Sequence, residues 1–228
     1  MIALSQVILE PFLKFSIDDF RVLNEEEIDY GFYNEKGWDI YYRKCFEKIG
    51  IEDIRFESAF SALISIRQFD DEKLKKLIQF DLSKKFEPEF ADYIPAYITD
   101  ELYTWFCGGY ILKTPEKSFI YPNCCVGFDH IADWEQVEEK KDDRWEMLWI
   151  GHPWVHYKLV DDRIVFSGYE ESKPYENKEW LSVDKQELME AVKIARKEIM
   201  EFLARIRTTI EEIASDPTSN VKVFYEFD

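Results

Sequence analysis

The stretch WEMLWIGHPWVHYKLVDDRIVFSGY, Trp145 to Tyr169, decides the fold class. Runs rich in apolar and aromatic residues lie on both sides of a central Asp161-Asp162 step. Such runs read as strands, and a two-residue polar step between two of them marks a hairpin turn. The segment therefore predicts two or three antiparallel strands, with VHYKLV and RIVFSGY as the arms of one hairpin. Upstream, YILKTPEKSFIYP reads the same way, as two apolar arms around a Thr-Pro-Glu-Lys turn. The Gly pair in CGGYIL opens the first of those arms.

Downstream the pattern changes. Leu188, Val192, Ala195, Ile199, Phe202, Ile206, Ile210 and Ile213 are spaced by alternating threes and fours, one stripe along a helix of about 183–214. Asp184 is placed to start this helix, and the proline of SDPTSN stops it. Such a stripe covers a sheet or forms the seam of a homodimer. VKVFYEFD then reads as a final strand at about 221–227. Upstream, Trp38, Tyr41, Tyr42, Cys45, Phe46 and Ile49 lie on one helical face, closed by Gly50. Asp70 opens a second helix with Leu74, Leu77, Ile78 and Leu82 on its apolar side, whereas IRFESAFSALISIRQF fits a strand or a buried helix equally. The expectation is one α+β domain over 1–228: a helical part at about 1–100, an antiparallel central sheet at about 105–170 with flanking helices, one long C-terminal helix, and a last strand.

Composition narrows the function classes. Of 228 residues, 46% are hydrophobic and 17% aromatic, enough for a substantial core and too aromatic for a disordered chain. Acidic residues number 47 against 29 basic ones, a net charge of -18. That balance opposes phosphate contacts with nucleic acid and attachment to anionic membranes. It suits a chain kept soluble by its charge, or one whose partner is basic. No basic leader precedes the first apolar residues, and no apolar run reaches the roughly 20 residues of a membrane span. The four cysteines show no disulfide spacing, so thiols in a cytoplasmic protein are expected.

FIYPNCCVGFDHIADWEQV, Phe119 to Val137, gathers Cys124, Cys125, Asp129, His130 and Asp133; His152 and His156 follow in GHPWVH. These are metal-ligand and nucleophile types. A structural zinc site, however, spaces its cysteines by two to four residues, and here they are adjacent. Pro153 opposes a helix presenting both histidines, although a strand would set residues four apart on one face. A thiolate at Cys125 would need His130 as its base, while Asp129 is placed to cap a helix starting at His130. The plainer reading makes the cysteines small apolar residues closing a turn beneath the sheet. No phosphate loop and no HExxH occurs. Catalytic residues, metal and cofactor are therefore set at none, with Cys124, Cys125, His130, His152 and His156 as the candidates if a metal- or thiol-dependent enzyme is the alternative.

EPEFADYIPAYITDELYTWF, Glu87 to Phe106, carries Glu87, Glu89, Asp92, Asp100 and Glu101 with no lysine or arginine, interleaved with Tyr93, Tyr97 and Tyr103. Aromatics supply contact area at low entropy cost and carboxylates select a basic partner, so these eight residues are the expected partner-binding set. The plainer reading is a helix-to-sheet connection whose rings face the core. By contrast, DWEQVEEKKDDRWE reads as a solvated helix and its loop.

The proline, the Cys-Cys pair, the short helix with Asp-x-x-x-Asp-Trp, and the Trp-Ile-Gly-His-Pro-Trp that follows resemble a group of bacterial proteins associated with immunity proteins of polymorphic toxin systems. The resemblance covers about 105–168. The family pattern follows the Cys pair with Gly-Asp-Leu, where this chain has Val126-Gly127-Phe128-Asp129. The resemblance carries no catalytic residues. It implies an acidic cytoplasmic inhibitor that neutralises a basic partner, such as a toxin, by stoichiometric binding.

Overall fold

The computed structural model describes residues 1–15, 35–58, 62–85, 93–95, 106–124, 126–170, 178–215 and 222–224. In chain order these form β1 (Ile2–Leu4), β2 (Ile8–Lys14), α1 (Glu35–Lys48), β3 (Leu63–Ser65), α2 (Asp71–Lys85), β4 (Tyr93–Pro95), β5 (Gly108–Lys113), β6 (Ser118–Ile120), α3 (Ile131–Gln136), β7 (Glu146–Leu148), β8 (Val155–Val160), β9 (Arg163–Ser167), β10 (Glu179–Asp184), α4 (Lys185–Ser215) and β11 (Lys222–Phe224). The fold is α+β. Two compact units share these elements: Met1–Phe12 with Cys107–Met200, and Leu13–Phe106 with Glu201–Asp228.

The first unit is built on a five-stranded sheet in the order β1-β10-β9-β8-β7. Its β7–β8, β8–β9 and β9–β10 pairings are antiparallel, and β1 joins one edge in parallel to β10. The β8–β9 hairpin turns at Asp161-Asp162, as expected, with Asp161 in the left-handed region at φ 51°. Registers set Leu148 opposite Val155, Tyr157 opposite Phe166, and Leu181 opposite Phe166 on its other side. These residues share the sheet's inner face with Ile164 and Val183, and all are buried. Trp134 of α3 brings its indole to 6.2 Å from the Phe166 ring, so α3 lies against that face. DWEQVEEKKDDRWE is thus only half solvated: Trp134, Val137 and Lys140 point inward.

In the same unit, β2 as far as Phe12 lies beside β5, which pairs with β6 around Thr114–Lys117. Gly108 has to be glycine, because a Cβ there would stand 2.5 Å from the Phe12 carbonyl oxygen and 2.8 Å from the Phe128 ring. Glu10 and Lys113 pair across these two strands at 2.9 Å with little exposure, so each neutralises the other's buried charge.

The second unit contains α1, α2, β3 and the parallel pair β4–β11. Gly50, at φ +75°, closes α1: its N–H donates to the Glu47 carbonyl and that of Ile51 to the Phe46 carbonyl, both at 2.9 Å. Asp70 Oδ1 accepts from the Lys73 N–H at 2.8 Å and so caps α2. Arg205 of α4 ties into the same unit through Asp71 and the Phe69 carbonyl.

The first 100 residues differ from the expected helical part, because they also contain β1 to β4. ILEPFLK of β2 is buried on both faces and so has no alternation to read. Tyr93–Pro95 is only three residues long and ends on a proline, which is a poor strand signal.

The long helix runs as its stripe requires. Asp184 Oδ1 accepts from the N–H groups of Gln186 and Glu187 at 2.9 and 3.0 Å. All eight stripe residues, Leu188 to Ile213, are buried. Ile199→Ala is expected to cost about 2–5 kcal/mol. The same change at Ile194, which is 48% exposed, should stay within about 0.5 kcal/mol. Urea denaturation of both variants measures the difference.

Candidate functional site

The Cys/His stretch turns out to be a corner of the first unit. Asn123 donates its N–H to the Ile150 carbonyl at 2.7 Å, and Cys124 forms an isolated antiparallel bridge with His152. Gly151 turns this corner at φ +85°, and a Cβ there would lie 2.1 Å from the Cys124 carbonyl oxygen. Cys124 is exposed, and its Sγ lies 3.4 Å from the His152 carbonyl oxygen. It therefore closes a turn at the surface rather than beneath the sheet; the pairing is made by backbone, which leaves its side chain outward. Cys125 lies outside the described residues.

The three histidines take separate roles. His130 Nδ1 lies 2.8 Å from Asp133 Oδ2. His152 is exposed, with its ring edge-on to Trp154 at 4.9 Å. His156 is buried in β8. Among the described residues, no three His, Cys, Asp or Glu side chains converge on a point that could hold a metal. Asp129 is not a helix cap. The chain enters α3 through a tight turn at Phe128–His130, and neither Gly127 nor His130 caps with a side chain. Phe128 is drawn into the core, where its carbonyl accepts from the Tyr110 hydroxyl at 2.7 Å, which leaves Asp129 facing water.

The expected acid-and-aromatic set contributes little that can be placed. Glu87, Glu89, Asp92, Tyr97, Asp100, Glu101 and Tyr103 lie outside the described residues, and Tyr93 is the first residue of β4, opposite Lys222.

A different surface combines those chemistries: the outer face of the five-stranded sheet. Met147 stands opposite His156 there, so the same register sets Trp149 against Trp154 and Trp145 against Lys158. The two indoles of the first pair lie 6.4 Å apart at 21°. Lys158 Nζ lies 4.7 Å above the Trp145 ring and 2.8 Å from Glu179 Oε1. Met147, between the pairs, is 50% exposed. His130 approaches Trp149 at 6.3 Å, so His130, Trp149, Trp154 and His152 form a continuous row of four rings. Past β9, Tyr169 lies 6.1 Å from Trp180, and its hydroxyl accepts from the Tyr121 N–H at 2.6 Å. Burial pushes the Tyr169 phenol up to about 12.

His156 sits under this face with 8% of its side chain exposed. Its backbone N–H donates to Ser167 Oγ at 2.9 Å. Among the described residues, buried Nδ1 has no hydrogen-bond partner, and Glu170 Oε2 lies 4.0 Å away. Glu170 is fixed beside Trp154 by its N–H on the Trp154 carbonyl at 3.0 Å. Burial lowers the His156 pKa below its ordinary value, and the Glu170 charge offsets only part of that.

The run Met147 to Ile150 is apolar throughout and so gives no face by itself; only the β7–β8 register, continued past Leu148, brings Trp154 to Trp149. Comparison with protein-family models, curated proteins and solved structures returned no match.

The depressed histidine has a consequence for stability. An unfolded histidine titrates near pH 6.5. Below that pH the unfolded chain takes up a proton that folded His156 refuses, so folding free energy is full above about 6.5 and falls as the pH drops through the folded value. His156→Gln is expected to flatten this part of the profile. Denaturation of both proteins between about pH 8 and 5 checks it, and parallel curves would exclude a neutral buried imidazole.

Proposed function

We propose that the protein is a cytoplasmic binding protein of the immunity type, which neutralises a basic partner such as a toxin by forming a stoichiometric complex. The observation that carries this reading is how α3 and its flanks distribute charge. Asp129, Glu135, Glu138 and Glu139 are exposed, whereas Lys140 is turned inward with 1% of its side chain exposed. Its ammonium is held by Asp142 and Glu146. Burial alone would lower the Lys140 pKa, but the hydrogen bonds it donates to these two carboxylates, together with their charges, outweigh it and raise it. Asp142, shared between Lys140 and Arg144, is held down at about 2.

The segment thus presents several carboxylates to water and hides Lys140, while Lys141 and Arg144 stay exposed, within a chain of net charge -18. A field of one sign accelerates the approach of an oppositely charged protein, and an inhibitor that must intercept its target gains directly from that rate. No helix among the described residues is long and apolar enough to cross a membrane, which fits a partner met in solution. The resemblance of the central region to immunity proteins supports the same reading.

Calorimetric titration with purified small basic nucleases tests it. A one-to-one complex is expected, weakening steeply as salt rises from about 50 to about 500 mM, because screening shortens the reach of surface charge. A panel without any binder, or binding indifferent to salt, would count against the reading.

A further inference from the structure

The five-stranded sheet ends at β7, and among the described residues no further strand pairs with it there. In an antiparallel pair, opposite residues turn their backbone groups either toward each other or away, alternating along the strands. His156 donates its N–H to Ser167 Oγ, on the β9 side, so the backbone of Met147, its partner in β7, points away from β8. Leu159, an odd number of residues on, turns the other way, its N–H reaching the Asp142 carbonyl. Among the described residues, no group bonds the Met147 N–H or carbonyl at the outward edge. An edge of this kind is a template for one more strand.

β7 lacks the devices that usually blunt an edge. Its register with β8 runs without a bulge, and neither lysine nor proline stands at 145–149. Met147 is 50% exposed instead, between the half-buried Trp145 and Trp149. The run is also self-complementary. Two copies paired antiparallel about Met147 join their Met147 residues through reciprocal N–H to carbonyl bonds. Two residues out, the same register sets Trp145 of each copy opposite Trp149 of the other, and such cross-strand aromatic pairs stabilise a sheet. Glu146, the one charged residue in the run, falls opposite Leu148, so no like charges meet. Its carboxylate is already engaged within its own copy by Lys140 and the Tyr157 hydroxyl.

We propose that the β7 edge is the contact surface for a second copy of this chain, paired antiparallel and two-fold about Met147 so that the two sheets become continuous. Such a contact is isologous and closes on itself. A run this short buries less than the roughly 800 Å² per partner of a standard interface, so the dimer forms at high concentration and dissociates on dilution. Each copy carries a net charge of -18, and like fields oppose approach. Salt screens that repulsion, so this association strengthens as salt rises, the reverse of the behaviour expected for a complex with a basic partner. The inference stands apart from the binding reading.

Sedimentation equilibrium of the full chain tests it, from about 5 to about 500 µM protein and at about 50 and about 500 mM salt. The expected result is an average mass that climbs from one chain toward two with concentration, and climbs earlier at the higher salt. Met147→Pro removes the outward N–H without breaking a bond to β8, so it should weaken the dimer at least about tenfold while the urea midpoint hardly moves. Met147→Lys sets two ammonium groups opposite each other across the contact and should act alike. The lysine variant decides if the proline variant fails to fold. A chain that stays monomeric at both salts overturns the proposal, and so does a dimer that neither substitution weakens. Monomeric chain whose complex with a basic nuclease is weakened by Met147→Pro would assign this edge to that partner instead.

Discussion

Phe166 and its neighbours on the inner face of the five-stranded sheet must be kept from water, and this requirement organises the first unit. Leu148, Val155, Ile164, Leu181 and Val183 lie on that face with essentially no exposure. Burying a side chain of this size is worth about 1.5–3 kcal/mol, so the face dominates the local energetics. The unit meets the requirement with short means: α3 contributes Trp134, and in the first half of α4 Leu188, Val192, Ala195 and Ile199 are buried as well. Lys185 and Asp184, at the join of β10 and α4, fix the helix start through the Asp162 carbonyl and the cap. Arg196 of α4 then meets Glu135 of α3 at 3.8 Å, a contact at the exposed rim of an apolar core.

An antiparallel sheet satisfied on one face can leave the other to a different chemistry. Here the outer face mixes the half-buried Trp145, Trp149 and Trp154 with Lys158, His156, Ser167 and Ser182. Arg163 lies across it, donating to the Ser182 hydroxyl and carbonyl. Most of these polar groups are paired, so an Nδ1 at His156 without a partner among the described residues stands out as a cost, and β7 with its two flanking residues supplies Trp145, Met147 and Trp149 at a sheet edge.

Legibility varied with the kind of residue pattern. The α4 stripe, its aspartate cap, the Gly50 closure of α1 and the Asp161-Asp162 hairpin could all be read, because each rests on neighbours within about five positions. β2 could not, since a strand buried on both faces loses its alternation. The Cys/His stretch was legible as a place where unusual residues gather, and a backbone bridge joins Cys124 to His152. Its chemistry was not legible. Two indoles stand in the row of rings between His130 and His152, and His156 points away from both into the sheet's polar layer. The reading of 133–146 as a solvated helix failed for Trp134 and Lys140 because burial of single residues depends on distant strands.

By itself, the sequence determined the α+β class, the long helix and its ends, the two hairpins, and a net charge of -18. These follow from periodicity, caps and totals, which are local or additive quantities. Only the tertiary structure decided that β1 closes the sheet in parallel, that Lys140 is hidden while its neighbouring carboxylates face water, and that Trp149 meets Trp154 over a histidine without a partner. Each of these depends on strand register or on which side of a sheet a helix covers. A register is set by the sum of many weak side-chain contacts between distant segments, and a shift of one residue would exchange the two faces.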